Sequence, residues 1–220
     1  MGDAEAKTNQ NETSYAAEFA RDFYEAGIVK FGSFTLKSGM VSPIYLDLRR
    51  LISKPKLLKK VAAALCAKAR ADKIKYKRLA GIPYAGIPIA VAMSLKNSKP
   101  CIFARKEVKD YGTKQAVEGE FKEKEHVLVV DDLITTGASK IESVAPLFGC
   151  GLKVHDFIVI VDREQGGKEE LEAKGYALHS LIKITDLLTE LKKQGLIDEA
   201  KYNETIAFIQ KNKVQQVKPA

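Results

Sequence analysis

Tryptophan is absent from the 220-residue chain, and cysteine, histidine and methionine occur only three times each. The cysteines, Cys66, Cys101 and Cys150, are scattered and odd in number, with no Cys-x-x-Cys pair and no Cys/His cluster. That excludes a disulfide framework and a zinc site, and the thiols read as buried, reduced side chains of a cytoplasmic protein. No apolar run approaches the ~20 residues that a membrane helix needs. Residues 1–14 are polar, carry Asp3, Glu5 and Glu12, and lack the hydrophobic segment of a secretory signal. Proline is sparse, and no Pro-, Gly- or Ser-rich linker or internal repeat divides the chain. One domain is expected over residues 15–213, with a disordered tail at residues 1–14 and a second tail at residues 214–220.

Charge of one sign is in excess. The net +8 is concentrated in residues 54–78, which hold ten Lys/Arg against Asp72 alone. Leu57, Leu58, Val61 and Leu65 in this stretch follow helical spacing, so the lysines read as the wet face of a helix. No aromatic residues interleave with them as a single-strand-binding surface requires, so neither a nucleic-acid nor a membrane partner is expected.

What is present is a pattern of short apolar strands. Residues 78–82, 101–104, 127–130 and 157–161 are nearly continuous apolar runs, and helical stretches at 87–95 and 139–148 lie between them. Strands apolar on both faces and alternating with helices predict a parallel sheet covered on both sides, an α/β fold. Ahead of it, Ser14 is a candidate N-cap for a helix that Gly27 ends. Residues 31–36 and 42–48 are strand-like around a Lys37-Ser38-Gly39 turn, and Ser53 with Pro55 starts a further helix. Helices are also expected near 185–193 and 199–211. Residues 106–125, between two good strands, form a long charged connection of the kind used as a lid. From Arg105 to Glu125 the charges balance at six of each sign, but Arg105, Lys106, Lys109 and Lys114 fall in the first half and most of the acids in the second, as a polyphosphate ligand would require.

The most informative tract is Val127-Leu128-Val129-Val130-Asp131-Asp132-Leu133-Ile134-Thr135-Thr136-Gly137-Ala138-Ser139. A buried strand ends in two adjacent carboxylates, a loop of hydroxyl residues and glycine follows, and a helix begins. Ligands of open α/β sheets bind where strands end, and the backbone N–H groups of residues 135–139 can wrap a phosphate monoester. The carboxylates repel that phosphate; they suit neutral hydroxyls beside it, such as a ribose diol, or a bound Mg²⁺. No lysine follows Gly137 directly, so this is not a Walker loop.

This tract resembles the phosphoribosyl diphosphate motif of type I phosphoribosyltransferases. Phe34-Thr35-Leu36-Lys37-Ser38-Gly39, Ser42-Pro43, Gly81-Ile82-Pro83-Tyr84, Arg105-Lys106-Glu107-Val108-Lys109-Asp110-Tyr111-Gly112 and Asp162-Arg163-Glu164-Gln165-Gly166-Gly167 narrow the resemblance to the orotate phosphoribosyltransferase family. It spans about residues 15–210 and is nearest to the phosphoribosyltransferase half of fused eukaryotic uridine monophosphate synthases. The resemblance implies a central parallel sheet flanked by helices, an N-terminal helix-and-strand hood and a flexible catalytic lid. It also implies a homodimer with lid residues shared across the interface, in de novo pyrimidine biosynthesis.

Residue by residue, the resemblance implies that Lys37, Tyr84, Ala85 and Tyr111 contact the phosphoribosyl diphosphate and that Arg105, Lys106 and Lys109 bind its diphosphate. Asp131 and Asp132 would hold the ribose hydroxyls. Leu133, Ile134, Thr135, Thr136, Gly137, Ala138 and Ser139 would form the rest of that site, with residues 135–139 on the 5′-phosphate. Tyr45, Leu46, Thr135 and Arg163 would frame orotate. Lys37, Lys109, Asp131 and Asp132 are thereby the catalytic candidates. Ala85 stands where many bacterial members have lysine, and Tyr111 where many have histidine. Mg²⁺ is implied as cofactor, held mainly by substrate rather than by a protein cage. None of the three histidines is given chemistry. Two other readings remain at this point: transfer to a different base, and a non-catalytic phosphoribosyl diphosphate sensor.

Overall fold

The computed structural model describes residues 2–36, 39–105 and 116–213, with side chains from Ser14 onward. Helix α1 (Gly2–Glu25) leads into an antiparallel hairpin of β1 (Val29–Thr35) and β2 (Val41–Leu46), and a 3₁₀ turn follows at Leu48–Ser53. Then come α2 (Pro55–Ala71), β3 (Arg78–Gly81), α3 (Gly86–Asn97), β4 (Cys101–Ala104), β5 (Val117–Glu118) and β6 (His126–Ile134). The chain continues through α4 (Ala138–Gly149), β7 (Lys153–Asp162), α5 (Gly167–Ala173), β8 (Ala177–Lys183), α6 (Ile184–Lys193) and α7 (Glu199–Lys211).

The main sheet runs β5-β4-β3-β6-β7-β8 and is parallel except for β5, which returns antiparallel on β4. Alternation along its strands divides the core between the two faces. Leu128, Val130, Ile158 and Ile160 pack with residues of α1, α2, α3 and α6, whereas Val127, Val129, Phe157 and Val159 pack with Val144 and Leu147 of α4 and Leu171 of α5. Both faces are covered, which is why β6 and β7 read as unbroken apolar runs.

Several boundaries depart from the sequence reading. α1 extends back to Gly2 instead of starting at a Ser14 cap, because nothing between them breaks a helix; no change of secondary structure marks residue 14. Its end is as expected: Gly27 takes φ +66°, and the N–H of Ile28 donates to the Phe23 carbonyl. Ser53 closes the 3₁₀ turn rather than capping α2, whose N-cap is Lys54 with no side-chain bond. β8 and α5 were not expected, since β8 carries His179 and Ser180 in its middle and α5 is short and charged. The basic face of α2 is only partly wet. Lys60 reaches Asp22 of α1 at 2.8 Å, and Lys68 is buried against Asp72 at 3.0 Å. Of the thiols only Cys66 is buried; Cys101 and Cys150 are half-buried.

Candidate active site

β3 connects through α3 to β4 on one side, while β6 pairs with it on the other, so the β3/β6 boundary is the point where strand order reverses. Crevices at such points hold the ligands of open α/β sheets. β3 pairs with β6 only as far as Gly81 opposite Val130, but β6 runs on beside β7 until Ile134 opposite Asp162. Asp131 and Asp132 therefore lie within a strand, not at its end, and flank the crevice where β3 has stopped.

Two glycines let α3 close over that spot. A Cβ at Gly81 would lie 2.6 Å from the Ile87 Cα, and one at Gly86 would lie 2.3 Å from the Val130 carbonyl oxygen and 3.2 Å from Asp131 Oδ1. The turn holding exposed Tyr84 and Ala85, the residue before α3, is thus held against Asp131. The other wall forms in the same way. Gly137 takes φ +85°, and a Cβ there would meet the Gly167 carbonyl at 3.0 Å; a Cβ at Gly167 would meet Ile134 Cγ1 at 2.5 Å and the Thr135 carbonyl at 2.8 Å. The Arg163 N–H donates to the Ile134 carbonyl at 3.0 Å. The loop at residues 135–137 and the segment at residues 163–167 are one packed unit, which brings Thr135 and Arg163 together.

The two acids differ from each other. Asp131 is 4% exposed; its Oδ1 accepts the Asp132 N–H at 2.9 Å, and its Oδ2 meets the Lys140 ammonium. Burial pushes its carboxyl up to about 6, against the pull of Lys140. Asp132 is half-buried, and its Oδ1 accepts the Leu133 N–H at 2.8 Å. Leu133 and Ile134 continue the strand, and the Ile134 side chain is core. Thr136, Ala138 and Ser139 are exposed at the start of α4, which has no side-chain cap, so its first N–H groups are open to an anion.

Arg163 is half-buried, and burial lowers its pKa; among the described residues its guanidinium has no ion-pair or hydrogen-bond partner. The surface ion pair with Asp162 that adjacency suggests is not formed: Asp162 Oδ1 accepts the Glu164 N–H at 2.8 Å. Gln165, in the same segment, is 2% exposed, and among the described residues its Oε1 has no hydrogen-bond partner. Arg105 is engaged already, with Nη1 3.1 Å from Glu118 across β4 and β5. Leu46 is packed in the core, which leaves Tyr45 as the β2 candidate; its ring lies 5.4 Å from Phe34 and its hydroxyl accepts from Arg49. Lys37, Lys106, Lys109 and Tyr111 lie outside the described residues. Lys140 was missed, although a signal existed: a cation in the first turn of a helix opposes the helix dipole and calls for an acidic partner.

Paired carboxylates at the switch point and an uncapped helix start beside them define the class of phosphoribosyl transferases. The phosphoribosyl transferase domain family matches residues 50–186. The chain is 39% identical over 189 residues to the uridine 5′-monophosphate synthase of Bos taurus, covering 86% of this chain and 39% of that protein. With the orotate phosphoribosyltransferase of Pyrococcus furiosus it shares 37% identity over 170 residues, covering 77% of this chain and 93% of that one. The solved UMP synthase of Leishmania donovani matches with a TM-score of 0.81 at 37% identity, over 89% of this chain and 42% of that chain. The chain thus spans well under half of the two synthases and nearly all of the Pyrococcus protein. It belongs to the orotate phosphoribosyltransferase family.

Proposed function

We propose that the chain transfers the 5-phosphoribosyl group from 5-phosphoribosyl 1-diphosphate to N1 of orotate, giving orotidine 5′-phosphate and diphosphate. The observation that carries this reading is Arg163, a half-buried guanidinium without a partner among the described residues, beside the phosphate loop. An unpaired desolvated cation is costly unless a ligand completes it. Orotate differs from uracil by the carboxylate on C6, and a guanidinium offers that carboxylate two parallel donors. A base without an anionic group leaves Arg163 unpaired, which disfavours the other-base reading.

In the reaction the bond from the anomeric carbon to the diphosphate oxygen breaks, the electron pair leaves with the diphosphate, and the orotate N1 lone pair forms the new bond. The ring develops oxocarbenium character, as in glycoside cleavage. N1 is anionic or nearly so when bound, so no strong base is required of the chain. The open N–H groups of residues 135–139 would hold the 5′-phosphate, and Asp131 and Asp132 would orient the ribose hydroxyls. Arg105 would reach the diphosphate on release from Glu118, and by resemblance Lys37, Lys106, Lys109 and Tyr111 contact the same substrate. The hard carboxylate oxygens at this edge fit an Mg²⁺ that takes one or two carboxylates and is otherwise held by substrate phosphates and water. When bound, that ion neutralises charge building on the diphosphate.

A homodimer and a cytoplasmic location belong to the same reading. Val91 and Leu95, the latter 83% exposed, lie one turn apart on the outer face of α3, which suits a self-complementary contact. Free thiols, and the absence among the described residues of a helix long and apolar enough to cross a membrane, support the location. Arg163→Lys tests the reaction. Losing a charge-assisted pair costs roughly 1.5–3 kcal/mol, so kcat/KM for orotate should fall by about one to two decades while phosphoribosyl diphosphate affinity is unchanged. Unchanged orotate kinetics, or a loss confined to the diphosphate substrate, removes Arg163 from the base pocket.

A further inference from the structure

Lys140 is a cation placed where local electrostatics disfavour it. It occupies the first turn of α4, whose N-terminal end is positive and carries no acidic residue in that turn. Its side chain is only 13% exposed and turns back onto Asp131 Oδ2, at the β3/β6 crevice rather than out to water. A buried ion pair adds little net stability over an apolar pair of the same shape, so stability alone does not account for it. Its surroundings suggest a use. The carboxylate it meets is one that ribose hydroxyls would engage, and Asp131 Oδ1 faces the α3 entry turn at Gly86. Arg105, the other described cation assigned to the diphosphate, is occupied by Glu118. Arg163 stands beside Thr135, on the loop's other flank.

We propose that Lys140 is a further substrate-binding residue of this chain: parked on Asp131 in the free protein, its ammonium passes to the donor's diphosphate when the ribose hydroxyls engage that carboxylate. The proposal rests on the phosphoribosyl transfer described above. It adds a cation supplied from within the fold, beside the crevice. A lysine suits the task, because a four-carbon stem carrying a point charge can swing between two oxygen acceptors where a guanidinium fork is geometrically bound. Exchange of one anionic partner for another keeps the ammonium paired throughout, so the substrate does not have to offset a naked buried charge.

The test compares wild type, Lys140→Met and Lys140→Arg by calorimetric binding of two probes, 5-phosphoribosyl 1-diphosphate and ribose 5-phosphate. The first carries the diphosphate and the second does not. Lys140→Met should weaken binding of the diphosphate probe at least tenfold and leave ribose 5-phosphate within about threefold or tighter, since no ammonium then competes for Asp131. Lys140→Arg keeps the charge but not the freedom to swing, and should recover only part of the lost affinity. A parallel loss of both probes makes Lys140 a structural partner of Asp131 and overturns the proposal, as does affinity for the diphosphate probe that Lys140→Met leaves unchanged. If wild type itself binds neither probe, the phosphoribosyl reading fails first, and the two failures are thereby distinguished.

Discussion

Replacing Gly86 with alanine sets a methyl group 2.3 Å from the Val130 carbonyl oxygen, with the Asp131 Cα at 3.1 Å and Asp131 Oδ1 at 3.2 Å. A comfortable carbon–oxygen approach is about 3.3 Å, so α3 and β6 must separate by roughly 1 Å. The nearest obstacle is backbone in a buried parallel strand, and no side chain can swing aside to relieve it. Overpacking of this kind costs typically 1–3 kcal/mol, and the upper end is expected here. The functional loss should be larger than the stability loss, because the displaced element carries Tyr84 and Ala85 and the displacing atom sits on Asp131. A misplacement of about 1 Å can cost on the order of 10²-fold in rate. Urea unfolding and initial-rate kinetics on the same preparation separate the two effects. Gly149→Ala is the control: it ends α4, nothing lies within 4 Å of its Cβ position, and it should be neutral or slightly stabilising. If Gly86→Ala stays within about 0.5 kcal/mol of wild type and within about threefold in kcat/KM, the close approach does not position the site.

Two further outcomes are expected. His179 faces Asp72 at 2.8 Å through Nδ1 and Asp156 at 3.0 Å through Nε2, with Lys68 also on Asp72; burial disfavours the imidazolium, but those hydrogen bonds prevail and raise its pKa. A raised folded pKa means the stabilisation is fully present below the unfolded value of about 6.5 and is lost as pH rises through the folded value. The Asp72 carboxyl is lowered by the same contacts, working against its own burial, so its share is lost only in acid, as pH falls through its folded value. The difference in unfolding free energy between wild type and His179→Gln should therefore shrink from about pH 5.5 to about pH 9; a constant difference contradicts the pairing. The proposed homodimer is tested by mixing a Lys109→Ala chain with an Asp131→Asn/Asp132→Asn chain, which should restore activity through hybrids with one complete site. Absence of recovery once subunit exchange is demonstrated places Lys109 within its own chain's site.

The legible parts of this fold are those governed by burial on two sides. The central runs of β3, β4, β6 and β7, residues 79–81, 101–104, 127–130 and 157–161, are apolar because helices cover both sheet faces, and a sequence cannot conceal that. β8 escaped because His179 and Ser180 sit in its middle, and His179 is satisfied by Asp72 and Asp156, distant in the chain, which no local pattern reveals. The acidic tract marked the site, but alternation alone could not tell that β6 outlasts β3, since strand pairing depends on where a neighbour stops. Lys140 shows the opposite case: its helix-dipole misfit was visible in the order of residues, while its partner lay nine positions back, across a turn.

Arg163 is a half-buried guanidinium without a partner among the described residues, and supplying bases with and without a carboxylate tests its proposed role most directly. Diphosphate release from 5-phosphoribosyl 1-diphosphate should be followed with orotate, uracil, adenine and hypoxanthine in parallel, with Mg²⁺ present. Orotate-dependent release, with uracil slower by at least the one to two decades that a charge-assisted pair of roughly 1.5–3 kcal/mol supplies, is the expected result. Turnover on a purine without turnover on orotate, or equal rates with orotate and uracil, would contradict it.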